Sequence, residues 1–105
     1  MSTTVKNLIS PRSGEAVKNQ FTIFSDGVEY FQSYNTTIAK KEGAMFTISS
    51  DYDYSVTTSR YFNQWLKEYG LEYDLVAIKK WLKTAKNGDE YDGLPTITFK
   101  YVDSL

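Results

Sequence analysis

The chain offers carboxylates, amines and amides for chemistry, and it has neither histidine nor cysteine. Asp51 and Asp53 straddle Tyr52, and Asp89, Glu90 and Asp92 crowd a second segment. Both groups carry the oxygen ligands that a hard cation takes. Neither has the alternating acids, central glycine and distal glutamate of a calcium loop, so both read as solvated polar loops and no metal site is expected. Paired carboxylates for glycoside chemistry need a set separation across a cleft, which spacing along one chain does not supply. Without histidine there is no Ser-His dyad, and the commonest general base and zinc ligand are missing. Without cysteine there is no disulfide framework and no thiolate site. The expectation is a protein that binds, with no cofactor, and not an enzyme.

The cationic groups point the same way. Arg12 follows Pro11 and precedes Ser13-Gly14, so a tight turn presents its guanidinium, a fork of donors suited to a phosphate or carboxylate. Ser13-Gly14 is no phosphate loop, because the lysine and second glycine at the proper spacing are absent. Lys79, Lys83 and Lys86 fall at spacings of four and three, with Lys80 beside them, which on a helix makes one basic side. Arg60 and Lys67 lie on a neighbouring segment that also reads as helix. Such a strip suits phosphates, although a solvated lysine face is its ordinary meaning. Asp89, Glu90, Asp92 and Asp103 could imitate phosphates in their turn. Tyr30, Gln32 and Tyr34 share one side of a strand opposite Phe31 and Ser33, and offer an aromatic contact patch.

The elements that must position these groups follow from punctuation and period. Val5 to Ile9 is a short strand, stopped by Pro11 and the Ser13-Gly14 turn. Gln20–Ser25 is rich in strand formers, Asp26-Gly27 is a hairpin signal, and Val28–Tyr34 returns. Thr36–Lys40 and Ala44–Ile48 continue an antiparallel meander around Lys41-Glu42-Gly43. After Tyr54 the period changes: Val56, Phe62, Trp65, Leu66 and Tyr69 repeat at helical spacing. Thr57 is the expected N-cap, with Ser55 the alternative, Val56 a staple on Tyr61, and Gly70 the residue past the end. A second helix is capped by Asp74, carries Leu75, Ile78, Trp81, Leu82 and Ala85, and stops at Asn87-Gly88. Asp89–Pro95 reads as a polar loop and Thr96–Val102 as the last strand. The expected fold is α+β: an antiparallel sheet of about five strands in the order β-β-β-β-α-α-β, with two helices packed on one face.

A chain of 105 residues fits one domain, 1–105, and 41% hydrophobic content lets it bury a core without metal or disulfide. The start lacks a charged region followed by an apolar run, and no apolar stretch is long enough to cross a bilayer, so a soluble cytoplasmic domain without membrane contact is expected. The net charge of −1 is weaker than a dedicated duplex binder shows, which favours a protein partner over bulk nucleic acid.

Four blocks carry a family resemblance: Arg12-Ser13-Gly14, Asn19-Gln20-Phe21, Tyr30-Phe31-Gln32-Ser33-Tyr34 with Ile38-Ala39, and Asp53-Tyr54-Ser55-x-Thr57-Thr58-x-x-Tyr61. Together with Asn63-Gln64-Trp65-Leu66, this series over residues 10–70 resembles short proteins encoded by bacteriophages and mobile elements, a group without an assigned activity. The resemblance implies a context and no catalytic residues. In that context the expected function is a phage-encoded inhibitor of a host defence system or host factor, of the anti-CRISPR type. It would act in the host cytoplasm by steric occlusion of a host protein or defence complex. The expected contact residues are Arg12, Tyr30, Gln32, Tyr34, Arg60, Lys79, Lys83, Lys86, Asp89, Glu90 and Asp92. The alternative is a small nucleic-acid-binding accessory protein using the basic helix face. Edge strands of a small sheet also leave room for a homodimer.

Overall fold

The computed structural model describes residues 3–71, 75–92 and 97–105. Seven strands form one sheet: β1 (Thr3–Ile9), β2 (Ala16–Ser25), β3 (Val28–Ser33), β4 (Thr36–Glu42), β5 (Met45–Ser49), β6 (Glu90–Asp92) and β7 (Thr98–Val102). A 3-10 turn (Ser50–Asp53) and the helices α1 (Val56–Lys67) and α2 (Leu75–Leu82) lie between β5 and β6. The lateral order is β1-β2-β3-β4-β5-β7-β6. The fold is α+β with two helices, as expected, and β1 to β5 form an antiparallel meander, but seven strands stand where about five were expected: five precede the helices instead of four, and β6 is added beside the last strand. The sheet is mixed, however, because β7 runs parallel to β5 and antiparallel to β6. A parallel pair needs a long crossover, and here the chain between β5 and β7 supplies it. Alternation marks a strand but not the direction of its neighbour, so this pairing was not visible in the sequence.

The Asp26-Gly27 hairpin forms as expected. Both residues take positive φ, 53° and 80°, and Ser25 pairs with Val28 across a two-residue turn. A register shift between Phe31 and Gln32 leaves Ile38 as an extra residue in β4, so Ile38 and its neighbour Ala39 are both buried. The strand β3 ends at Ser33, not at Tyr34. Tyr34 sits in the β3–β4 turn at φ 56° and leaves the alternation that would have placed it beside Tyr30 and Gln32.

The N-cap of α1 is Ser55 and not Thr57. Its hydroxyl accepts from the Thr58 N–H at 3.1 Å, and its backbone is extended. With the helix starting two residues earlier, Val56 becomes its first residue and points into solvent, so it does not staple against the buried Tyr61. Thr58 is buried and its hydroxyl meets Ser33 Oγ at 2.9 Å, tying the start of α1 to the end of β3. The tyrosine-rich β3 block and the Asp53–Tyr61 block are therefore joined by a structural hydrogen bond.

The helix α2 is shorter than its apolar stripe suggests. It ends at Leu82, so Lys83, Ala85 and Lys86 lie beyond it and the expected basic helix side keeps only Lys79 and Lys80. The chain leaves the helix because the Lys86 to Asp89 turn is held elsewhere. Asp89 Oδ2 accepts from the Lys86 N–H, Asn87 Oδ1 accepts from the Asp103 N–H, and Gly88 N–H donates to Tyr101. The Asp74 cap and the first residue of the expected last strand, Thr96, lie outside the described residues. Glu90 to Asp92 are no loop but the strand β6, whose Tyr91 stacks on Trp81 at 5.5 Å.

Helices and sheet meet over an aromatic core. Trp65, fully buried, lies 6.1 Å from Phe31 and 5.8 Å from Phe46, and Phe46 stacks on Phe99 at 5.3 Å. Phe62, Leu66, Ile78 and Leu82 complete the helix side. Among the described residues no helix covers the opposite face of the sheet. One lateral row of residues crosses all seven strands there: Val5, Ile23, Tyr30, Lys40, Thr47, Lys100 and Glu90.

Strand β2 presents an inverted pattern. Gln20 and Thr22 face the helices and are buried, while Phe21 and Ile23 take the helix-free face. Its register is set by the Asp26-Gly27 turn and by the pairing of Thr22 with Phe31, which must point inward. Gln20 is fully buried and neither atom of its amide has a partner in the protein. Leaving such groups unmade costs about 1–3 kcal/mol, whereas an apolar group of similar shape removes the cost. Gln20→Leu is therefore expected to be neutral or to stabilise by about 1 kcal/mol in urea unfolding. A loss of stability above about 1 kcal/mol would show that the amide is hydrogen-bonded in solution.

Candidate functional site

A groove of about 1120 Å³ runs between the outer side of α1 and the β1–β2 turn. The turn is shaped by Ser10, whose Oγ accepts from the N–H groups of Arg12 and Ser13, and by Gly14 at φ 72°. Gln64 ties the two walls together by donating from Nε2 to the Ile9 carbonyl at 2.8 Å. Along the helix the groove presents Val56, Arg60, Asn63 and Lys67, with Pro11 and Asp53 on the other sides. The buried Asn63 Oδ1 has no partner in the protein. Among the described residues the one ion pair is Lys40 with Glu42, on the helix-free face, and Arg60, Lys67, Asp53 and Glu68 form no ion pair with any of them. A groove with both signs of charge, amides and an exposed valine can receive a mixed polar and apolar surface.

The expected contact residues divide among several places. Arg60 lines the groove, and Lys79 borders it by donating to Ser59 Oγ at 3.4 Å. Arg12 is exposed at the tip of the turn, next to Pro11. Tyr30 and Gln32 lie on the helix-free face, where Gln32 is occupied in donating to the Tyr34 carbonyl at 2.8 Å. Tyr34 lines a separate hollow with Tyr54, Ser55 and Thr58. Lys83 and Lys86 stand apart from the groove walls. Asp89 is committed to its turn, and Asp92 accepts from Thr98 Oγ1 at 3.3 Å. Glu90 sits opposite Lys100 on the edge strand. The acidic trio is thus part of a turn and an edge strand, and no cluster of three acids fit for a metal occurs among the described residues. Nor is any helix among them long and apolar enough to cross a membrane.

A second hollow adjoins the first across Gln64 and Glu68, which line both. It measures about 430 Å³ and reaches inward to Thr22, Glu29 and Tyr69. The Tyr69 hydroxyl is held well above the usual tyrosine range, first by burial and then by the Glu29 carboxylate beside it, with Glu68 adding repulsion. The Glu68 carboxyl is also raised, mainly by burial, and its hydrogen bond with Gln64 offsets part of this. Tyr52, packed on Phe62, is raised by burial and by Asp53. Sequence reading named none of Thr22, Glu29 and Glu68. Thr22 is on the inward side of β2, which becomes legible only once Phe31 fixes the register, while Glu29 on β3 and Glu68 at the end of α1 gave no signal of their own.

A consequence follows at high pH. Folded Tyr69 keeps its proton above pH 10, where the unfolded chain releases it, so the unfolded state binds fewer protons and stability falls as pH rises. In Tyr69→Phe this decline should be shallower by at most about 1.4 kcal/mol per pH unit, and Tyr52 keeps the remainder. Urea unfolding between pH 9 and 11, roughly bracketing the ordinary tyrosine range, measures it. An unchanged decline would place the Tyr69 hydroxyl in water.

No curated protein and no solved structure matches the chain. One family model matches residues 3–89, which hold the whole meander, both helices, the groove and the second hollow. The chain belongs to that family, DUF8033, a family of unknown function.

Proposed function

We propose that the protein is a non-catalytic binding protein whose protein partner seats in the groove beside α1. We further propose that it blocks a host defence system or host factor by steric occlusion. The observation that carries this reading is the groove itself. Its walls hold Arg60, Lys67, Asp53 and the exposed Val56, none of which the core uses. Mixed charge argues for a protein surface over a nucleic acid, because Asp53 and Glu68 would repel the phosphates that Arg60 and Lys67 attract. The basic helix strip on which nucleic-acid binding would have rested loses Lys83 and Lys86, which lie beyond α2. The kind of partner follows from the resemblance of residues 10–70 to phage proteins.

The test is capture of partners from host lysate by tagged protein, with and without nuclease, followed by reconstitution with the purified partner. The expected result is one stoichiometric protein that survives nuclease and whose activity falls when the complex forms. Recovery of nucleic acid alone, lost as salt is raised, would overturn the reading.

A further inference from the structure

The hollow beyond Gln64 and Glu68 has two kinds of wall. Leu8, Ile9 and Phe24 make an apolar side, and the inner end is polar, with Thr22, Glu29 and Tyr69. At that end two oxygens lack partners in the protein. Thr22 is 7% exposed and its Oγ1 makes no hydrogen bond, and Glu29 Oε2 is buried without a donor. An ionised carboxylate only accepts, so the missing group must donate. The lining charges are Glu29, Glu68 and Lys6, an excess of negative charge. Lys41 does not line the hollow and is engaged over the Tyr69 ring at 5.5 Å. The space is many times the roughly 30 Å³ share of one water molecule.

We infer that this hollow is an anchor subsite for an arginine or lysine side chain of the partner protein, with the apolar stem against Leu8, Ile9 and Phe24 and the cationic head on Glu29 and Thr22. Those two side chains alone join a long aliphatic stem to a charged donor. Continuity with the groove makes the hollow a side pocket of the contact surface, where a buried cationic anchor carries a large share of binding energy. The inference rests on the groove being that surface.

The experiment uses the full chain and a probe in place of the partner. Isotope-labelled protein is titrated with N-acetylarginine methylamide, with the lysine analogue, and with N-acetylnorleucine methylamide as the uncharged control. Saturable shifts at Thr22, Phe24, Glu29 and Tyr69 are expected with the two cations and not with norleucine. Glu29→Gln should weaken arginine binding about tenfold or more, and Thr22→Val, which keeps the shape, should weaken it less. Equal binding of norleucine, indifference to Glu29→Gln, or no shifts because ordered water alone fills the hollow would each overturn the inference. Failure of the subsite shows in this titration, while failure of the groove reading shows in partner capture with groove variants, so the two are told apart.

Discussion

Replacing Trp65 by alanine is expected to cost about 3–5 kcal/mol, a large part of the roughly 5–15 kcal/mol that holds a domain of this size together. The side chain is fully buried and touches three aromatic partners from different elements: Phe31 of β3, Phe46 of β5 and Tyr69 beyond α1. Removing it leaves a cavity between helix and sheet that rigid strands cannot close. Urea unfolding followed by circular dichroism measures the loss. Trp81→Ala is the internal comparison: Trp81 is only partly buried and stacks mainly on Tyr91, so its loss should be the smaller. Trp65→Phe should cost less than Trp65→Ala, because it retains a ring in the core. A Trp65→Ala cost below about 1 kcal/mol would mean that α1 is held to the sheet by other contacts.

The second large effect concerns binding. The double variant Val56→Asp with Arg60→Glu is expected to lower affinity for the captured partner a hundredfold or more, roughly 2.7 kcal/mol. Val56 is 78% exposed and Arg60 forms no ion pair among the described residues, so neither change disturbs the core. Aspartate at the first turn of α1 also suits the positive end of the helix dipole. Unchanged melting with lost capture is the expected pair of results, read by calorimetry and by titration of the purified partner. Capture at wild-type affinity would place the contact surface elsewhere on the molecule.

Much of the architecture was legible where local chemistry decides it. Asp26-Gly27 allowed one kind of hairpin, Ser55 was available as a cap, and the period of Phe62, Trp65, Leu66 and Tyr69 marked the buried side of α1. What was not legible depended on partners distant in sequence. The span of α2 was overread because Ala85 continued an apolar stripe, while the bonds of Asn87, Gly88 and Asp89 to the turn and the last strand drew the chain away. Glu90 to Asp92 looked like a solvated loop, since three residues with two acids carry no strand period of their own. The same limit applied to the groove. Arg60 and Lys67 could be named from their type, but Asn63 and Glu68 matter only because they line the same groove as Pro11. Gln20 and Thr22 looked like ordinary polar residues in a partly alternating strand, and only the inward placement of Phe31 turns them toward the core.

The position of β7 also bears on how the chain reaches this fold. Strands β1 to β5 pair with neighbours adjacent in sequence and can zip together as they leave the ribosome. The inner edge of β5 has no partner until residues 98–102 emerge, when Met45 meets Thr98 and Ser49 meets Val102. Closing so long a loop is slow, and Phe46 lacks the cover of Phe99 in the meantime. An open strand edge beside an uncovered aromatic is the species most prone to aggregate. Joining of β5 to β7 is therefore the step expected to be slowest in folding, and the species just before it the one expected to aggregate most readily.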